Sequence, residues 1–136
     1  MQTVRNLMLV AALLAAAPAH ARNAPMVNFE NIAISTSDGK AAAPEKVRKA
    51  IIQAASARKW APSQHSPNTI RATYNHGSKY SAVVDIKFTG QSYSIVYVDS
   101  VGLNYASEGG KSVVHPTYNK LVTALRQSID AQLRSL

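Results

Sequence analysis

The chain has no cysteine among its 136 residues. Disulfides, thiolate metal centres, cysteine nucleophiles and acylation of a lipobox cysteine are therefore excluded. Acidic side chains are scarce as well, seven against fifteen Lys and Arg, for a net charge of +8. Tryptophan occurs once, at Trp60. No internal repeat and no block of five or six like charges is present, which sets aside repeat architectures and polyionic tails. After residue 21 no apolar run is long enough to span a membrane, so the mature chain is expected to have no transmembrane segment.

The one long apolar run is 7–17, LMLVAALLAAA, behind Arg5 and ahead of Ala19-His20-Ala21. A basic residue, a short apolar stretch and an A-x-A site in that order make a secretory signal. The reading is a cleaved signal peptide over 1–21, a mature chain from Arg22, and a single domain over 22–136. That length buries one core without help from metals or disulfides. Export without cysteine suits the periplasm, where oxidation pairs stray thiols. Removal of Arg5 leaves fourteen basic residues against seven acidic ones, a net of +7. The polyanions of an envelope are lipid head groups and cell wall rather than nucleic acid. Because the basic residues are scattered along the sequence, they read first as a solvated surface.

Residues 22–25 read as a loose leader. Residues 27–35 read as an edge strand with broken alternation, Val27 and Phe29 on one parity and Ile32 and Ile34 on the other. Ser37-Asp38-Gly39-Lys40 is a turn cluster. A helix is expected over 44–58: Pro44 suits its first position and Glu45 complements its dipole and faces Lys49. Val47, Ile51, Ala54 and Ala55 make its apolar stripe. Trp60 should plug one end of the core, and 64–67 should be loop.

Three strands are expected at 68–76, 79–89 and 92–100. Ile70, Ala72 and Tyr74, then Tyr80, Ala82, Val84, Ile86 and Phe88, then Tyr93, Ile95 and Tyr97 keep strict alternation. That pattern marks antiparallel strands with one covered face. Gly90-Gln91 fits a type II′ hairpin, which sets Phe88 opposite Tyr93, Ile86 opposite Ile95 and Val84 opposite Tyr97. A three-residue loop at Gly77-Ser78-Lys79 keeps Tyr74 on the same face. A Gly-rich loop at 108–111 leads to a last helix from Pro116, with Leu121, Val122, Leu125, Ile129, Leu133 and Leu136 at helical spacing. Arg126, Asp130 and Arg134 should form its ion-paired outer face. The expected fold is α+β, in the order β-α-β-β-β-α: an antiparallel sheet of three to four strands with two helices packed on one face.

Catalytic groupings are poor. His65, His76 and His115 lack paired metal-ligand spacing, and Gly109-Gly110 lacks the G-K-[ST] of a phosphate loop. Ser100 is not on a nucleophile elbow, and Asp99 adjoins it rather than orienting His115. The expectation is a non-enzyme that needs no metal or cofactor. Two candidate surfaces remain. Asp99, Ser100, Asn104, Tyr105, His115, Tyr118 and Asn119 gather near the end of the sheet. They either satisfy backbone amides and cap the last helix, or they line a pocket whose ligand-binding residues are Asp99, Ser100, Tyr105, His115, Tyr118 and Asn119. Val83, Val96 and Val98 fall on the other face of the sheet among Arg71, Ser81, Asp85, Lys87 and Ser94, with Val83 opposite Val98. If that face is uncovered, they form a partner patch.

With these residues laid out, the chain resembles a family of small exported proteins of Gram-negative bacteria, many of them lipoproteins, whose function is uncharacterised. The resemblance rests on Ala50-Ile51, Trp60, Tyr93-Ser94-Ile95, Tyr97, Asp99-Ser100, Leu103 and Tyr105, and on His115-Pro116 with Tyr118-Asn119. The chain departs from the pattern in having Gly102 in place of asparagine, Leu121 in place of tryptophan, and no lipobox cysteine. The resemblance implies an α+β domain in the envelope and supplies no activity. The functional expectation is a non-catalytic periplasmic interaction domain. Its partner would be an envelope protein, an anionic cell-wall or lipid component, or a copy of itself. The alternative is a protein that binds a small ligand or anionic glycan through the polar cluster from Asp99 to Asn119.

Overall fold

A computed structural model describes residues 23–136. The signal peptide expected over 1–21 and the junction at Arg22 lie outside the described residues. In chain order the elements are β1 (Ala24–Pro25), β2 (Phe29–Ala33), α1 (Pro44–Ala57), β3 (Ala61–Ser66), β4 (Thr69–His76) and β5 (Tyr80–Phe88). They continue with β6 (Ser92–Val101), β7 (Ala106–Glu108), β8 (Lys111–Val114) and α2 (Pro116–Arg134). The class is α+β. A five-stranded sheet has the order β2-β6-β5-β4-β3, and a small one has the order β1-β8-β7; every pairing is antiparallel.

The three alternating strands form the middle of the large sheet, and their register follows the apolar pattern. Phe88 lies opposite Tyr93, Ile86 opposite Ile95 and Val84 opposite Tyr97. His76 pairs with Tyr80, which leaves the three-residue loop 77–79 and brings Tyr74 opposite Ala82. The turn type differs from expectation. Gly90 does not take a positive φ, so the turn is not type II′. The Thr89 hydroxyl closes it instead, accepting from the N–H groups of Gln91 and Ser92, each at 3.1 Å. Glycine is needed at position 90 for another reason. A Cβ there would stand 2.5 Å from the Ala42 carbonyl oxygen, where the chain passes on its way into α1.

The broken alternation of β2 is a bulge. Phe29 pairs with Ile95 and Ile32 with Tyr93, so the chain inserts one extra residue, and Asn31 takes a φ of 51°. Both parities thereby pack on the core. Four further strands, β1, β3, β7 and β8, depart from the sequence reading. Where a loop was expected at 64–67, β3 runs along β4 as an edge strand. Its Pro62 and its exposed polar side chains give no periodic signal, and only backbone pairing makes it a strand. The loop through 108–111 is the tip of a hairpin, with Gly109 (φ 58°) and Gly110 (φ 78°) making the two-residue turn that joins β7 to β8. The supposed leader includes β1, which pairs with β8.

Both helices lie on one face of the large sheet and run antiparallel, with Ser128 of α2 donating to the Ala54 carbonyl at 3.1 Å. Val47, Ile51, Ala54 and Ala55 of α1 meet Val122, Leu125, Ile129 and Leu133 of α2 over Ile70, Val84, Ile86 and Ile95. Trp60 closes the end of this core, its ring 5.5 Å from that of Tyr74. Two ion pairs differ from expectation. Glu45 takes Arg48 rather than Lys49, because Arg48 reaches it with a two-pronged guanidinium. Arg126 and Asp130 do pair, at 3.4 Å, but Arg134 stays out of the pair. That face is also half-covered: Arg126 sits 5.0 Å over the Phe29 ring and Asp130 accepts from the Tyr93 hydroxyl. Burial, with Asp130 adding to it, pushes the Tyr93 pKa up and keeps the phenol neutral.

Candidate functional site

Each member of the polar cluster has an intramolecular role. His115 is the N-cap of α2; its Nδ1 accepts from the Thr117 N–H at 3.1 Å, and Pro116 follows at the first helical position. Asn119 clamps the N-terminal segment, accepting from the Val27 N–H and donating to the Pro25 carbonyl, each at 3.0 Å. The Asn104 carbonyl accepts from Asn23 at 3.0 Å. The Tyr105 ring stacks on Tyr97 at 4.4 Å, and buried Tyr118 meets Tyr97 edge-on at 5.5 Å. The Ser100 hydroxyl bonds the Tyr97 hydroxyl at 2.7 Å. Burial pushes the hydroxyl pKa values of Tyr97 and Tyr118 upward.

Asp99 is parted from this group by a second bulge. The register of β5 on β6 shifts by one residue, so that Val84 pairs with Tyr97 but Val83 pairs with Asp99. Val98 is the extra residue, and the expected pairing of Val83 with Val98 is replaced. Simple alternation puts Asp99 on the helix side and Ser100 on the open side. The bulge reverses both. Ser100 turns in to Tyr97, while Asp99 is exposed, its carboxylate accepting from the Ser100 N–H at 2.8 Å.

The same bulge shapes the open face of the sheet. Val101 pairs with Ser81 and emerges there, 66% exposed, beside Val96 at 37% and Val98 at 38%. Half-buried Val83 lies across from Val98 and Asp99. Next to this patch, Arg71 of β4 grips Asp85 of β5 through two bonds of 2.9 and 3.0 Å. The guanidinium holds the Asp85 carboxyl below the usual carboxylate range. Lys87, Ser94 and exposed Asp99 frame the patch. The face thus offers four valines around a self-neutralised ion pair. The expected patch of Val83, Val96 and Val98 is there, and Val101 was missed because unbroken parity hides it.

The histidines are spread out. His65 lies on edge strand β3, His76 stacks on Tyr80 at 4.9 Å, and His115 caps α2. Among the described residues no three His, Asp or Glu side chains come together as a cation site. No protein-family model, curated protein or solved structure matches the chain.

Proposed function

We propose that this chain is a non-catalytic interaction domain of the periplasm, exported by its N-terminal signal, that binds a protein partner through the open face of its large sheet. The partner is another envelope protein or a second copy of the chain. The observation that carries the reading is the row Val96, Val98 and Val101, all more than a third exposed on a face that neither helix covers. Contiguous exposed valines on a rigid sheet cost solvation unless something meets them. The surrounding charges suit a protein surface, because Arg71 and Asp85 already neutralise each other and need no counter-ion from the partner. The polar cluster supports the ligand alternative less well, since its side chains are engaged in capping, clamping and stacking.

The test pairs Val96→Ser with Val98→Ser. Both side chains are exposed, so the double variant is expected to melt within about 1 kcal/mol of wild type. It is also expected to lose capture of its partner in pull-downs from envelope extract and in cross-linking of the purified protein. Retention of full capture at unchanged stability overturns the assignment of this face.

A further inference from the structure

The basic residues are scattered in the sequence, but the fold sorts them. The helical layer, taken as α1 with the two-residue turn that follows it (44–59) and α2 (116–134), carries eight Lys and Arg against two acidic residues, a net of +6. The rest of the described chain carries five basic and five acidic residues, a net of zero. Both acidic residues of the helical layer are engaged, Glu45 with Arg48 and Asp130 with Arg126. Lys46, Lys49, Arg58, Lys59, Lys120 and Arg134 are exposed, and none of them takes part in an ion pair among the described residues. The buried stripes of α1 and α2 face the sheet, so Lys46, Lys49, Lys120 and Arg134 project from the opposite side of the molecule to the valines. A groove of about 430 Å³ runs between the start of α1 and the end of α2, lined by Lys46, Lys49, Gln53, Gln132, Ser135 and Leu136 among others.

We propose that the helical layer docks on an anionic phospholipid bilayer, with head-group phosphates set against Lys46, Lys49, Lys120 and Arg134. A cation held near an anionic bilayer strengthens binding about fivefold, so a group of four is enough for a salt-sensitive attachment. The groove suits a head group, with two ammonium groups and amide and hydroxyl donors around it. The two helical stretches place no aromatic ring on their exposed positions, where single-stranded nucleic acid needs platforms for its bases. Docking by the helices leaves the valine face pointing away from the membrane. The two surfaces are separate, so each can fail its test without the other.

The experiment is vesicle co-sedimentation of the purified protein in low salt. It compares phosphatidylcholine vesicles with vesicles containing 30 mol% phosphatidylglycerol, a composition set for the assay. One variant combines Lys46→Gln, Lys49→Gln, Lys120→Gln and Arg134→Gln. A charge-matched variant combines Lys40→Gln, Lys79→Gln, Lys87→Gln and Lys111→Gln, away from the helical layer. Both keep the same N-terminal segment, so any contribution from it cancels. The expected result is binding to the anionic vesicles only, weakened several-hundred-fold in the helical variant and less than tenfold in the matched one. Circular dichroism should show both variants folded, since every substituted side chain is exposed. Equal losses in the two variants overturn the proposal, because total charge and not the layer would then matter. So does an absence of binding to anionic vesicles, or tighter binding to a DNA duplex than to vesicles at equal charge concentration.

Discussion

Asn119 holds the N-terminal strand to α2 with both ends of its amide, one to the Val27 N–H and one to the Pro25 carbonyl. Two hydrogen bonds of this kind are worth about 1–3 kcal/mol together. Asn119→Ala is therefore expected to cost about that much, and to speed amide hydrogen exchange at Val27 while leaving the amides of β5 unchanged. Exchange at Val27 as slow as in wild type would show that the clamp is not what fixes this segment. The sequence brought Asn119 into a polar group with Asp99 and His115, but could not say which member did what. The His115 cap was legible, because Pro116 marks the first helical turn. The partners of Asn119 were not, since Pro25 and Val27 lie more than ninety positions away. The separation of Asp99 from Ser100 was not legible either, because one extra residue at Val98 exchanges the faces that alternation would give them, and alternation cannot announce a bulge. Glycine at position 102 has a local reason. Its φ is +73°, and a Cβ would lie 2.4 Å from the Lys79 carbonyl oxygen.

The hairpin of β5 and β6 was legible in register because turn length and apolar parity point to one pairing. Its chemistry was not, because Thr89 supplies from its side chain what a type II′ glycine would supply from its backbone. With Phe88 buried opposite Tyr93 and Lys87 exposed on the open face, the two positions should respond very differently. Phe88→Ala is expected to cost about 3–5 kcal/mol by denaturant titration, and Lys87→Ala less than about 0.5 kcal/mol. Gly90→Ala should cost about 1–3 kcal/mol, as the new methyl pushes against the Ala42 carbonyl and not because of its φ. A Gly90→Ala protein as stable as wild type would mean that the chain before α1 does not pass so close. β1, β3 and β7 were beyond sequence reading for one shared reason. They are short edge strands, held chiefly by backbone bonds to a neighbour, and carry little periodic apolar signal.

At the scale of the whole molecule the fold gives the chain two unlike sides. The apolar faces of both helices are used up in the core, so their cations turn outward. The sheet's far face keeps a near-neutral balance around its valines. Scattered charges in a sequence read as a solvated surface, and only the layering shows that the net excess of the described residues lies on the two helices and the turn after α1. The valine face is proposed to meet another protein chain. This is tested most directly by a photo-activated cross-linker placed at Val98 or, for comparison, at Gln53 on α1, in cells that make the protein. One discrete protein adduct is expected from Val98 and none from Gln53; the same adduct from both, or none from Val98, would overturn the assignment of this face.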